Sequence, residues 1–114
     1  KADNADKKLS TVTLPITLTE QYYLDAQQGY VVQIAGFSDL SVLGKFLKQN
    51  PALEYFSYQK MLNEERFIVL TSQAYSQKAD ALASLNALPQ AIKNRGSFIK
   101  AVSTIKGEIN TFNR

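Results

Sequence analysis

The sequence predicts an α+β domain with a βαββαβ core, a four-stranded antiparallel sheet with helices on one face and a short helix before it. Three observations support this class. Four short segments are rich in β-branched or aromatic residues. Apolar residues at helical spacing follow the first and the third of these segments. The second and third segments are joined by only a few residues, so this order of elements gives an antiparallel sheet.

The chain before the first strand divides into two parts. Residues 1–18 are polar and without clear period, and Pro15 interrupts them, which indicates a linker or flexible arm. The domain is therefore expected to span residues 19–114. TEQYYLDAQQG opens it as a short helix, with Thr19 as its cap and Gly29 at its end. Its expected apolar contacts are Tyr23 and Leu24.

The first strand and the helix after it are marked by β-branched residues followed by a helical stripe. YVVQIAG, residues 30–36, is the strand, and its alternation places Val32 and Ile34 on one face. The other face is assigned to Val31, Gln33 and Ala35. Ser38 or Asp39 caps the helix, and the Asn50-Pro51 pair ends it. The buried stripe is expected to consist of Leu40, Leu43, Phe46 and Leu47.

The middle of the chain predicts a β-hairpin. LEYFSYQKM and RFIVLTSQ are its arms and LNEE connects them, although Asn63-Glu64 lacks the usual glycine. In the second arm Ile68 and Leu70 fall on one face. Phe67, Val69 and Thr71 fall on the other.

The rest of the chain predicts a second long helix, a short one and the last strand. Ser76 starts the long helix, whose inner stripe is expected to be Ala79, Leu82 and Leu85. Pro89 and Gly96 bound the short helix. SFIKAV is the strand, with Phe98 and Lys100 on one side and Ile99 and Ala101 on the other. The tail from Ser103 is expected to add a turn of helix through Ile105 and Ile109.

The open face of this sheet is expected to carry two large aromatic side chains. An antiparallel sheet with one solvated face normally alternates apolar and polar residues. Here Phe67 and Phe98 are predicted on that face beside Gln33 and Lys100, which breaks the rule. The two aromatic residues therefore predict either a binding surface or a cover, formed by the N-terminal helix or the tail.

Composition excludes several kinds of chemistry. The chain has no Cys and no His, so it offers no thiolate nucleophile, no zinc–thiolate site and no histidine base. No apolar run is long enough for a membrane span. The chain starts at Lys1 rather than Met, which suggests a piece of a longer protein. The net charge of +3 divides into −1 over residues 1–28 and +4 over the rest, and this mildly basic surface suits a polyanion.

Three stretches, in order and at this spacing, resemble the SPOR domain, which binds septal peptidoglycan. They are TEQYYLDAQQGYVVQIAGF, EYFSYQKMLNEERFIVLTSQAYSQKADALASLNALP and SFIKAVSTI. The resemblance covers roughly residues 18–106. It implies a βαββαβ fold and non-catalytic, cofactor-free binding of glycan strands stripped of their stem peptides at the division site. It also implies a periplasmic domain of an inner-membrane protein, with the membrane segment outside this chain and other division proteins as further partners.

The resemblance assigns the binding site by position. Gln33 matches the glutamine of the family's first strand, whereas Phe67 and Phe98 match aromatics of the third and fourth strands that are often Trp. Gly36 stands where domains of the most similar type have a serine that contributes to the site. Phenylalanine keeps an aromatic face but offers less area than Trp and no N–H donor.

Two basic residues are further candidates for this site. Lys100 and Arg95 are placed to pair with the carboxylate of muramic acid, which is freer once the stem peptide is gone. The alternative, held as equal, is that both serve only solubility. Gln33 likewise is either a partner for a sugar N-acetyl or hydroxyl group or a solvated residue of the sheet.

Other functions compete with glycan binding. A single-stranded RNA binder of the RRM type shares the topology, but its signature needs a glycine and alternating aromatics on the third strand. ERFIVLTSQ has one aromatic and no glycine, so nucleic acid is not expected. A protein–protein adaptor would also use an exposed apolar patch. An enzyme is not expected, because neither paired carboxylates, a nucleophile with a base nor a phosphate loop is evident.

Overall fold

The computed structural model describes residues 14–113 and confirms the predicted α+β class. In chain order its elements are α1 (Glu20–Asp25), β1 (Tyr30–Phe37), α2 (Leu40–Gln49), β2 (Phe56–Leu62), β3 (Glu65–Thr71), α3 (Lys78–Asn86), α4 (Gln90–Lys93), β4 (Phe98–Ala101) and α5 (Val102–Phe112). All neighbouring strands pair antiparallel, in the order β2-β3-β1-β4. Within this part of the chain, no helix is long and apolar enough to cross a membrane.

Local signals in the sequence fix several boundaries. Asp39 caps α2, and its Oδ1 accepts a hydrogen bond from the backbone N of Ser41 at 2.9 Å. The hairpin turns at Asn63 and Glu64, whose φ angles of 53° and 67° are those of a type I′ turn. Asn tolerates this left-handed region, whereas Glu64 adopts it at a cost of about 1 kcal/mol. The turn therefore forms without glycine.

One face of the sheet, the helix face, is covered by α2, α3 and α4. Its core is apolar: Ile34, Ala35, Phe37, Leu43, Phe46, Ile68, Leu70 and Ile92 are buried together. The predicted stripe of α3 is wrong, because Ala81 is the buried residue of this helix and Leu82 is 48% exposed. A small side chain at the contact lets α3 lie close to the strands beneath it, which a leucine there would prevent.

An irregularity in β1 changes which residues share a face. Gln33 pairs with Thr71 and Ala35 with Leu70, so Ile34 is an extra residue, as in a β-bulge. Ile34 and Ala35 consequently both join the core of the helix face. The predicted place of Ala35 beside Gln33 is therefore wrong, because alternation restarts after the bulge.

The second face of the sheet is partly covered rather than open. Tyr23 of α1 and three residues of α5 are buried against Val31, Tyr58 and Val69. The three residues of α5 are Val102, Ile105 and Ile109. The tail thus forms an eleven-residue helix that begins where β4 ends, rather than a single turn. Its apolar residues at i, i+3 and i+7 give it one buried stripe.

The segment before α1 passes around the edge of β2. Leu14, Ile16 and Leu18 pack against the core of the helix face, whereas residues 1–13, the rest of the expected linker, lie outside the described part. Thr19 then follows β2 as a short strand would: its N donates to Ser57 O at 2.9 Å, and its Oγ1 accepts from Ser57 N at 2.7 Å. The Thr19 side chain therefore bonds β2 and not the first turn of α1.

Candidate functional site

Four of the predicted site residues lie in a row on the second face, which we call the diagonal strip: Phe98, Gln33, Gly36 and Phe67. Phe98 of β4 is the cross-strand partner of Gln33 in β1. The bulge in β1 then turns Gly36 to the same face as Gln33, although the two are three residues apart. A Cβ built on Gly36 would lie 3.8 Å from Cδ2 of Phe67 in β3. The strip thus crosses three strands.

The two aromatic rings of the strip are far apart. Phe98 and Thr71 both pair with Gln33, and Phe67 precedes Thr71 by four residues along β3. From standard strand spacings the backbone positions of the two residues are separated by roughly 10 Å across the sheet and roughly 13 Å along it. A ligand that touches both must therefore be elongated, because they do not enclose one small ring.

The rings also differ in exposure. Phe98 is 45% exposed, an unusual state for a large aromatic side chain. Phe67 is half-buried and packs against the cluster that includes Tyr58 and Val69. The predicted alternative, in which other segments cover the aromatic residues, is therefore partly correct for Phe67 and wrong for Phe98. Gly36, which is exposed, leaves the side of the Phe67 ring that faces β1 without a neighbouring side chain at that position.

A charged group of residues borders the strip beneath α5. We call it the Glu108 cluster: Glu108, Lys60, Lys100 and Tyr58. Lys100 Nζ lies 2.7 Å from Glu108 Oε1, and Lys60 Nζ lies 2.9 Å from Glu108 Oε2. The Tyr58 hydroxyl donates to Glu108 Oε1 at 2.5 Å and accepts from Lys100 Nζ at 2.9 Å. With two ammonium groups and one carboxylate, the cluster carries a net charge of +1.

Lys100 has a different setting from the one the sequence suggested. It is only 9% exposed, and its ammonium donates to Glu108, Tyr58 and the Oε1 of Gln33, the last at 3.2 Å. Its three protons therefore have partners within the protein. A direct contact with a ligand carboxylate stays a prediction; in this structure the ammonium is held by its neighbours.

Burial and pairing shift the pKa values of the cluster. Burial lowers the pKa of the Lys100 ammonium, and its pairing with Glu108 offsets this only in part. Burial alone would raise the pKa of Glu108, but hydrogen bonds from Lys100, Tyr58 and Lys60 outweigh it, so the net shift is downward. Burial, reinforced by the hydrogen bond to Glu108, raises the pKa of Tyr58. Glu108 is therefore ionised at neutral pH and Tyr58 is neutral.

Arg95, the second basic candidate, lies on the helix face. Its guanidinium is 5.1 Å from the centroid of the Phe37 ring and 5.4 Å from that of Phe46. These are distances typical of cation–π contacts. Since Phe37 and Phe46 belong to the core of the helix face, the structure does not bring Arg95 to the diagonal strip.

Sequence reasoning did not identify Glu108 and Tyr58 as neighbours of the site. Their signals are present: Tyr58 and Lys60 alternate along β2, and Glu108 lies beside Ile109 in the helical stripe of the tail. The prediction of a single helical turn for the tail left out the contribution of α5 to the site.

Among residues 14–113, no group of three or more carboxylates could hold a metal ion. The arrangement offers stacking, hydrogen bonding and positive charge.

No family model matches the chain. No curated protein matches it either. Its function is therefore inferred from its residues and their geometry.

Proposed function

We propose that this chain is a non-catalytic module that binds peptidoglycan glycan strands lacking stem peptides. Through this binding it would direct the protein that carries it to the division septum, with the module on the periplasmic side. The observation that carries the proposal is the diagonal strip, which presents two aromatic rings, an amide and an uncovered glycine on the part of the sheet left free by α1 and α5.

The shape of the strip suits a polysaccharide. Sugar rings present apolar C–H faces that stack on aromatic side chains, and by analogy with bases each contact contributes about 1–3 kcal/mol. Because Phe67 and Phe98 are separated along and across the sheet, one strand of linked sugars can reach both rings. Two stacking contacts of this size give a single domain a modest affinity.

The charge of the neighbouring cluster favours strands without peptides. Removing the stem peptide converts an amide on muramic acid into a free carboxylate. Since stem peptides carry carboxylates of their own, the strand does not become more negative, but a carboxylate now lies directly on the sugar. The net +1 of the Glu108 cluster attracts this charge, and Lys60, with a side chain 17% exposed, is more accessible than Lys100. The position of this carboxylate, next to the sugar rings that stack on the strip, thereby adds a preference that stacking alone does not give.

Co-sedimentation with purified sacculi, untreated and amidase-treated, tests the proposal. The domain is expected to bind the amidase-treated sacculi more strongly. Phe98→Ala should weaken this binding roughly tenfold, because one stacking contact is lost. Leu82→Ala is the matched control: it removes an apolar side chain of similar exposure, 48% against 45%, from α3, which covers the other face. A folded Phe98→Ala variant that binds as well as the control would contradict the proposed site.

A titration with single-stranded RNA is the second arm of this experiment. RNA-binding sheets of similar topology stack bases on aromatics across the middle of the sheet. Here α1 and α5 cover Val31 and Val69 in that region. Salt-sensitive RNA binding without sacculus binding would overturn the proposed ligand, and binding to a division protein alone would assign the strip to an adaptor.

A further inference from the structure

The amide of Gln33 lies at the centre of the strip, and its two ends have different chemistry. The oxygen accepts hydrogen bonds, whereas the nitrogen only donates them. Lys100 Nζ donates to the Gln33 oxygen at 3.2 Å. An ammonium group has no acceptor, so the opposite orientation of the amide would set donors against donors. Hydrogen-bond chemistry therefore fixes the orientation, which electron density alone rarely does.

Lys100 can hold this orientation because it is itself held. Glu108 and Tyr58 take its other two protons, and 9% of its surface is exposed. Glu108 is in turn bound by Lys60 and Tyr58. The connections run without a break from α5 through Lys100 to Gln33. The Gln33 amide bonds Lys100 through its oxygen, and its nitrogen has no hydrogen-bond partner among residues 14–113.

We propose that Gln33 meets its ligand as a hydrogen-bond donor, that Lys100 is the positioning residue for it, and that the domain thereby selects glycans bearing acetamido groups. This inference rests on the proposed function. The acetamido carbonyl is a strong acceptor, and it recurs along the glycan strand next to the ring faces that stack on Phe98. A deacetylated sugar carries an ammonium group instead. This group only donates hydrogen bonds, so it cannot pair with the Gln33 nitrogen, which is also a donor.

The probe is a set of amidase-treated sacculi, used as they are, after N-deacetylation of the glycan strands, and after chemical re-acetylation. The unaltered domain should bind the deacetylated strands roughly tenfold more weakly, because the Gln33 nitrogen loses its acceptor and faces an ammonium group instead. Re-acetylation should restore binding. Equal binding to acetylated and deacetylated strands would overturn the inference, whereas absence of binding to any amidase-treated sacculus would overturn the proposed function itself.

Deacetylation also adds positive charge, so a substitution must separate this effect from recognition. Gln33→Glu replaces the donor by a carboxylate that only accepts. This variant should lose roughly tenfold on acetylated strands and prefer the deacetylated ones, a reversal of order. Gln28→Glu makes the same charge change on an exposed residue before β1 and should keep the original order. If both variants keep that order, the inference is wrong.

Lys100→Met tests the positioning role. It removes the donor that fixes the amide while leaving Glu108 paired with Lys60. The Gln33 amide can then turn either end to the ligand, so the ratio of binding to acetylated and deacetylated strands should fall toward unity. This ratio is independent of any overall loss of folded protein. An unchanged ratio in the Lys100→Met variant would show that Lys100 does not position Gln33.

Discussion

The two faces of the sheet are covered by helices, but the helices cover them differently. On the helix face, the buried residues of the main cluster are all apolar, and Leu43 and Phe46 of α2 are among them. On the second face, α5 also brings Glu108 against Lys100 and Tyr58 of the strands. The interior of the helix face is mainly apolar, while that of the second face contains ions and leaves a strip of the sheet uncovered.

This difference indicates that the helix face contributes mainly to stability and the second face to the proposed binding site. Burying charges is expensive, and a buried ion pair seldom stabilises a fold more than apolar side chains of the same size would. The second face carries that cost next to the residues proposed to bind glycan. The ions there orient Gln33, and the helix face supplies the stability that allows it. The contrast can be tested by substitutions on each face.

The largest effect is expected on the helix face. Ile68 is 1% exposed within its cluster, so Ile68→Ala should lower the free energy of unfolding by about 3 kcal/mol. Urea denaturation followed by circular dichroism measures this, and Leu82→Ala on the exposed side of α3 should change it by less than about 0.5 kcal/mol. A loss below about 1 kcal/mol for Ile68→Ala would mean that this cluster is not the main core.

A smaller effect is expected from the ions of the second face. Glu108→Gln leaves Lys100 buried without its counter-charge and should destabilise the domain by about 2 kcal/mol at neutral pH, since Glu108 is partly exposed. The same urea experiment measures it. A neutral or stabilising result would show that Lys100 and Lys60 find other partners, and the positioning chain from α5 to Gln33 would then be dispensable.

Acid distinguishes this variant from a simple packing defect. The pKa of Glu108 is lowered by folding, so the unfolded chain binds more protons in the acid range and stability falls as the pH drops through the folded-state pKa. The substituted amide does not titrate. The difference in free energy of unfolding between Glu108→Gln and the unaltered protein should therefore become smaller on acidification. The corresponding difference for Ile68→Ala should stay constant. If the difference for Glu108→Gln does not change with pH, the ionised carboxylate of Glu108 does not stabilise the fold.

The smallest change in stability is expected on the strip. Gly36→Val should leave stability the same or raise it by about 0.5–1 kcal/mol, because the position is extended strand and a Cβ there makes ordinary contact with Phe67. Its methyl groups should cover the Phe67 ring and weaken sacculus binding roughly fivefold. Gly36→Ser, which adds only a small hydroxymethyl group, serves as the control and should stay within about twofold. Equal binding by both variants would remove Phe67 from the glycan contacts.

The sequence predicted the order of elements because its signals are local. Asp39 and the Asn50-Pro51 pair mark the ends of α2, and alternation in β3 separates Ile68 from Phe67. Alternation failed where the backbone departs from regular pairing. The extra residue Ile34 moved Ala35 to the core, and no residue type in β1 announces a bulge. The same bulge brings Gly36 beside Gln33, which only the resemblance had suggested.

Contacts between distant segments were the other part that sequence could not supply. Glu108 and Lys60 are 48 residues apart, and they meet because α5 returns across the second face to β2. The tail has the apolar spacing of a helix, but spacing does not say which surface the helix covers. The strand position of Lys100 predicts a contact with ligand, but α5 lies over this residue and Glu108 pairs with its ammonium.

The segment around Thr19 covers the outer edge of β2, and this affects how copies of the domain behave when they are close together. Edge strands with unpaired N–H groups recruit strands from other molecules, which leads to aggregation. Here the outward N–H of Ser57 is taken by Thr19 and that of Gln59 by Glu20 Oε2 at 2.9 Å. The opposite edge, β4, is only four residues long and runs directly into α5. Many copies of the domain at high local concentration can thus lie side by side without joining their sheets.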